Sequence, residues 1–222
     1  MNKTISVIVP AYNEEFKIEE TIKAIQSVDL INNIHVVDDG STDNTFSILS
    51  NIEGISVNRF SVNVGKGAAI KAGIREVIDF SDIIVFLDGD LGSSAKEVYK
   101  LITPLLYDNV DVVIGRFPKA KTKGGFGFVK STARYGVYLR TGQLFHASLC
   151  GQRAFKTNVL TNITLPDDFG IEVSMLVNII NKGYTVKEIN VNMTHNETKR
   201  NFQGFKHRAK QLLQVLKALI KK

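Results

Sequence analysis

A single cysteine, Cys150, excludes any internal disulfide and points to a reducing, cytoplasmic setting. Long apolar runs are also missing: none approaches the roughly 18 residues that would cross a bilayer. Nothing resembling a secretory leader precedes the first apolar strand, so no signal peptide is expected. With no Gly/Ser/Pro linker, repeat or low-complexity tract, residues 1–222 are expected to form a single domain. No recognised nucleic-acid motif accompanies the net charge of +6, so nucleic acid is not expected as a partner. What the chain does have is 44% hydrophobic content over 222 residues, enough for one substantial core.

The most informative segment is Asp88-Gly89-Asp90, which follows the apolar run Ile83 to Leu87. That run is short, β-branched and apolar on both faces, which predicts a buried parallel strand. Two carboxylates then emerge at its C-terminal edge, where open α/β sheets bind ligands. Carboxylates are hard oxygen ligands suited to Mg²⁺ or Mn²⁺, and such an ion can neutralise a diphosphate leaving group. Alone, Asp-Gly-Asp is more often a solvated turn.

Three further segments change that balance. Ile5 to Val9 reads as a strand stopping at Pro10, followed by Ala11, Tyr12, Asn13, Glu14 and a helix carrying Ile18, Ile22, Ile25 and Val28. Ile34 to Val37 reads as a strand ending in Asp38-Asp39-Gly40, after which Ser41, Thr42 or Asp43 can cap a helix. Asn63-Val64-Gly65-Lys66-Gly67 opens a helix running to about Ile78, and a helix N-terminus favours anions. It is not a P-loop, because Lys66 is followed by Gly67. Each cluster has an ordinary structural reading as a cap or tight connection. Together they place polar groups on one edge of a parallel sheet.

These motifs, in this order over residues 5 to 90, resemble the glycosyltransferases of the GT-A fold, family 2 and its relatives. The resemblance implies an α/β Rossmann-like GT-A domain with a mostly parallel central sheet, a nucleotide-sugar donor and a divalent metal, Mn²⁺ or Mg²⁺. It implies that Pro10, Ala11, Tyr12 and Glu14 line the nucleoside, and that Asp39 and Lys66 or its neighbours contact the base. Asp88, Gly89 and Asp90 form the Asp-x-Asp metal and ribose site. Residues 1–115 then make the donor and metal half, and 116–222 the acceptor half with a basic C-terminal helix.

In the second half, Val110 to Ile114 reads as a strand leading to Arg116, a candidate acceptor contact. Lys- and Gly-rich residues 118–128 read equally well as a cationic lid or a solvated loop. A helix is expected from about Val129 to Thr141. Gly151-Gln152-Arg153-Ala154-Phe155 resembles the family's segment beside the acceptor pocket, which assigns Gly151 and Arg153 to the acceptor. The Asp that many members carry four residues earlier is Ala147 here. Glu172 opens the next helix, at the place where inverting relatives carry the base. The ordinary reading is an acid complementing the helix dipole.

After a strand expected over Thr185 to Met193 comes His195, ordinarily a surface residue. The segment resembles a subset including glucosyl- and mannosyl-phosphoglycerate synthases, in which a His here joins Asp88 and Asp90 on the metal. Lys199 and Arg200 follow in a polar segment able to meet a diphosphate or anionic acceptor. From Gly204 the tail reads as a Lys/Arg-rich helix with an apolar stripe of Phe205, Leu212, Leu213, Val215, Leu216, Leu219 and Ile220, and packing on its own domain is favoured over an anionic membrane surface. The expected activity is metal-dependent transfer from a nucleotide sugar, UDP-glucose favoured, to an anionic soluble acceptor. The alternatives are a polyprenyl-phosphate acceptor, with peripheral contact at the inner membrane face, and a non-catalytic nucleotide-sugar binding protein. A homodimer is compatible with either.

Overall fold

The computed structural model describes residues 3–118, 128–165 and 171–194. Seven strands form one sheet: β1 (Ile5–Ala11), β2 (Asn33–Asp38), β3 (Ser56–Arg59), β4 (Ile83–Phe86), β5 (Val112–Arg116), β6 (Arg153–Lys156) and β7 (Val186–Asn190). Their order is β3-β2-β1-β4-β6-β5-β7. Every adjacent pairing is parallel except those of β6, which runs antiparallel to both β4 and β5. β6 thereby joins the two halves in one sheet, and the division expected at residue 115 falls inside β5.

Among the described residues, seven α-helices accompany the sheet: α1 (Ile18–Gln26), α2 (Thr45–Ser50), α3 (Lys66–Val77), α4 (Tyr99–Tyr107), α5 (Phe128–Thr141), α6 (Thr157–Asn162) and α7 (Ile171–Asn181). A 3-10 helix, Gly92–Val98, precedes α4. The pleat sorts successive side chains to opposite faces. Ile83 and Val85 join the core beneath α1, the 3-10 helix and α4. Ile84 and Phe86 join the core beneath α3, α5, α6 and α7. Both faces of β4 are therefore dry, which is why its sequence is a continuous apolar run rather than an alternation.

Two expectations are corrected at the strand ends. β1 does not stop at Pro10 but continues to Ala11, with Pro10 opposite Val37 and Ala11 opposite Asp38. In a strand, alternate residues direct their backbone groups to opposite neighbours. The Ile8 carbonyl accepts from Leu87 N–H on the β4 side, so Pro10 faces that side too, beyond the last β1–β4 pair at Ile8–Phe86. Its missing N–H costs no ladder bond. The last strand is also shorter than Thr185 to Met193, because its pairing to β5 spans only Val186 to Asn190.

Candidate active site

The C-terminal ends of β1, β2 and β4 and the start of α3 converge on one cleft of about 410 Å³. Its lining includes Pro10, Ala11, Tyr12, Glu14, Asp39, Lys66, Asp88, Gly89 and Asp90, so every donor-side residue singled out from the sequence reaches the same space. Asn63 and Gly65 line it as well. A larger, more open depression, about 550 Å³, lies between α1 and the 3-10 helix, but it shares none of these residues.

The loops are tied to one another before any ligand arrives. Asn13 adopts a left-handed backbone, φ 57°, which Asn tolerates better than most residues. Its side-chain oxygen accepts the Thr42 N–H at 2.9 Å, and its own N–H donates to Ser41 Oγ at 3.0 Å. Glu14 N–H donates to Thr45 Oγ1 at 2.8 Å. The first two strand-end loops are thus one unit. Asp38 is fully buried, accepts the Ser41 N–H at 3.0 Å and pairs with Arg59 Nε at 3.1 Å. Asp39 accepts the N–H groups of Val64 and Gly65, both at 2.8 Å, and so holds the loop before α3 against β2. Gly40, at φ +72°, has room for no side chain: a Cβ there would lie 2.5 Å from the Val62 carbonyl carbon.

At the other end of the cleft sits a charged cluster. Lys66 Nζ donates to Asp88 Oδ1 in a short contact and lies 3.9 Å from Glu172 Oε1. Burial works against the Lys66 charge, but Asp88 and Glu172 outweigh it and raise its pKa. Its ammonium serves the two carboxylates, and its neighbours Val64 and Gly65 donate their N–H groups to Asp39. Glu14 is pushed up to about 7, first by burial and then by the charges of Asp90, Asp88 and Asp43.

Glu172 stands in the first turn of α7, as expected, and its side chain is largely buried. Gly151 abuts the cluster: a Cβ there would come within 2.6 Å of Lys66 Nζ and 3.4 Å of Asp88 Oδ1. Arg116 ends β5 on the same sheet edge and is exposed.

Arg153, assigned to the acceptor side by resemblance, faces the protein interior. It is 1% exposed, and its guanidinium donates to the carbonyls of Cys150 at 2.8 Å, Glu172 at 2.8 Å and Ser148 at 2.9 Å. Those bonds engage all three of its nitrogens, so it braces the 148–151 loop and the start of α7. Burial lowers its pKa. The Cys150 thiol, pushed up to about 12 by burial, is a packing group and no nucleophile.

Two residues were missed by the sequence reading. Gln152 donates from Nε2 to Asp88 Oδ2 at 2.6 Å, so both oxygens of Asp88 are held. Glu188, on β7, accepts the Ala147 N–H at 2.5 Å and so ties β7 to the loop before β6. Nothing in the local pattern marks either one, since both depend on strand pairing across more than 35 residues of chain. His195, Lys199, Arg200, most of the 118–128 segment and the basic tail lie outside the described residues.

The donor set suits a divalent cation only in part. Among the described residues no group of three or more His, Cys, Asp and Glu is arranged to hold an ion alone. Yet the acids Glu14, Asp88 and Asp90 share one field, as the raised Glu14 pKa records. Hard carboxylates that repel one another are relieved by an incoming cation, whose remaining positions would be filled by diphosphate oxygens.

This cleft lies at the carboxyl edge of a mostly parallel sheet, where open α/β folds place their ligands. Residues 6–170 match the profile of glycosyl transferase family 2. The chain belongs to that family and is a glycosyltransferase. It is 31% identical over 207 residues to an uncharacterized protein of Methanocaldococcus jannaschii, covering 87% of this chain and 82% of that one. It is 29% identical over 181 residues to the UDP-N-acetylglucosamine–dolichyl-phosphate N-acetylglucosaminyltransferase of Methanococcus voltae, covering 72% of each. Among solved structures it resembles glucosyl-3-phosphoglycerate synthase from Mycobacterium tuberculosis in complex with Mn²⁺, UDP and phosphoglyceric acid. There the TM-score is 0.82 at 26% identity, covering 98% of this chain and 78% of that one. The same synthase has been solved with Mg²⁺ and UDP.

Proposed function

We propose that this protein transfers a sugar from a UDP-sugar, UDP-glucose in the first instance, to a phosphate-bearing acceptor in a reaction that requires Mn²⁺ or Mg²⁺. The observation that carries this reading is the cluster Lys66–Asp88–Glu172 beside Asp90 and Glu14, at the end of a cleft whose other end holds Asp39 and Tyr12. In this reading Tyr12, Asp39 and Asn63 receive the nucleoside, and Asp39 keeps lone pairs for a base N–H beyond the two it already accepts. Asp88, fixed by Lys66 and Gln152, presents its carboxylate to the ribose and metal, and Asp90 is the principal metal ligand. His195 is assigned as a further ligand on sequence grounds.

A bound divalent ion supplies charge neutralisation for the departing nucleoside diphosphate. The chain's own groups do the rest. Lys66 stands where it can exchange Asp88 for a phosphate oxygen, adding a second positive charge as the leaving group develops its own. Glu172 accepts the proton of the acceptor hydroxyl, and the Arg153 bond to its carbonyl fixes the α7 start that carries it. Arg116, and on sequence grounds Lys199 and Arg200, meet the acceptor's negative charge.

A second reading places that phosphate on a polyprenyl lipid. It is favoured by the Methanococcus voltae relative and by the undecaprenyl-phosphate 4-deoxy-4-formamido-L-arabinose transferase of Sodalis glossinidius, 27% identical over 229 residues. Among the described residues no helix is long and apolar enough to cross a membrane. The deciding experiment titrates UDP, GDP and their sugars with and without Mn²⁺ by calorimetry, then assays transfer to 3-phosphoglycerate and to a short polyprenyl phosphate. Metal-dependent UDP binding and transfer to either acceptor uphold the reading. Tighter GDP binding overturns the donor assignment, and full activity after exhaustive EDTA treatment overturns the metal assignment.

A further inference from the structure

One polar side chain interrupts the apolar face of α1. Ile18, Ile22 and Ile25 bury that face, and Thr21 lies among them, fully buried. A hydroxyl taken out of water is costly unless it is hydrogen-bonded. Thr21 Oγ1 finds its partners on both sides of Asp90. It accepts the Gly92 N–H at 2.8 Å and donates to the Gly89 carbonyl, also at 2.8 Å. The Lys17 carbonyl, one turn back in α1, is a second acceptor for the same proton at 2.9 Å.

The turn that carries Asp90 is thus bridged by one atom of a helix. It also lies close against that helix. A Cβ on Gly89 would come within 3.1 Å of Ile18 Cδ1, and one on Gly92 within 2.7 Å of Glu20 Oε2. From the other side, Ser94 Oγ donates to the Leu91 carbonyl at 2.6 Å, and Leu91 is itself buried. α1 in turn starts at the nucleoside loop, because the Glu14 carbonyl accepts the N–H groups of Lys17 at 3.0 Å and Ile18 at 2.9 Å. Thr21 therefore connects two parts of the cleft that are far apart in the chain, residues 10–14 and Asp90.

We propose that Thr21 is a positioning residue for the metal-dependent step: its hydroxyl fixes the Asp90 turn relative to the nucleoside loop, so that a cation on Asp90 and a diphosphate held beside residues 10–14 meet at a set spacing. This inference rests on the assignment of Asp90 to the metal given above. A small divalent ion tolerates little error in the spacing of its oxygen ligands. Groups that orient a metal ligand without touching the metal change its affinity by about 10–100-fold when removed.

The test is calorimetry of UDP binding with and without Mn²⁺, which reads the metal enhancement without any turnover. Thr21→Val keeps the shape of the side chain but removes the donor and the acceptor together. It is expected to cut the Mn²⁺ enhancement by about tenfold while metal-free UDP affinity stays near that of wild type. Thr21→Ser restores the hydroxyl and is expected to restore the enhancement. In the Asp90→Ala background, Thr21→Val is expected to change nothing further, because the two residues act through one contact. Thr21→Ala repeats the test with a smaller side chain, and every titration is run below the variant's melting transition. An enhancement that Thr21→Val and Thr21→Ala both retain overturns the proposal. So do equal losses of UDP affinity with and without Mn²⁺, which would make Thr21 a packing residue only. A Thr21→Ser variant as impaired as Thr21→Val, or a further loss on top of Asp90→Ala, overturns it as well. Wild type with no Mn²⁺ enhancement rejects the metal reading itself, and the proposal with it.

Discussion

At the scale of single residues the site is a balance of charges. Asp88 is held at both oxygens, by Lys66 and Gln152, so its geometry is set before ligand arrives. Replacing Asp90 by Ala is expected to remove metal-dependent UDP binding, seen as loss of the Mn²⁺-enhanced heat in calorimetry, with the melting temperature of the metal-free protein little changed. Gly151→Ala places a methyl 2.6 Å from Lys66 Nζ. The far end of a lysine can shift cheaply, so the fold should survive. The displaced ammonium should lower turnover tenfold or more, about 1.4 kcal/mol of transition-state stabilisation. Unchanged turnover in that variant would show that the position of Lys66 is unimportant.

At the scale of elements, β6 is the piece that makes the site. It is the antiparallel strand between β4 and β5, and its entry loop delivers Gly151 and Gln152 to Asp88. Arg153 fixes that loop through three carbonyls while buried. Removing its guanidinium would take a buried donor from each of those carbonyls, the Glu172 carbonyl keeping its helical partner, and each buried group left unsatisfied costs about 1–3 kcal/mol. Arg153→Met is therefore expected to destabilise the protein by about 3 kcal/mol or more in urea unfolding, with Arg153→Lys intermediate because an ammonium cannot span the same three acceptors. A loss below 1 kcal/mol would mean the loop is held by other contacts.

At the scale of the whole molecule, the acidic cleft couples stability to pH. Glu14 has a folded-state pKa near 7 against 4.5 for the ordinary carboxyl. The folded chain therefore holds a proton that the unfolded chain has lost between those values. This contribution is fully present below about pH 4.5 and is lost as pH rises through 7. Metal-free protein is expected to lose stability over that window. Glu14→Gln should flatten the dependence, and so should saturating Mn²⁺ with UDP. Thermal melts across the window check this, and a wild-type profile identical to that of Glu14→Gln would refute it.

The strand-end carboxylates, the glycines and the order of the motifs were legible in the sequence because they are local. A buried parallel strand needs an unbroken apolar run, and the polar residues after it can only lie at its end. That local logic places Pro10, Tyr12, Glu14, Asp39, Lys66, Asp88 and Asp90 on one edge, and the cleft contains all of them. The sequence also marked Glu172 as a helix-start acid. It could not say that Arg153 turns inward, that Gln152 holds Asp88, or that Glu188 reaches the loop containing Ala147. Nor could it tell that Pro10 continues its strand, which depends on where β4 stops pairing. Each of these is a contact between segments distant in the chain, set by strand order and register. A side chain's partners in such contacts are chosen by the assembled sheet rather than by its neighbours in sequence.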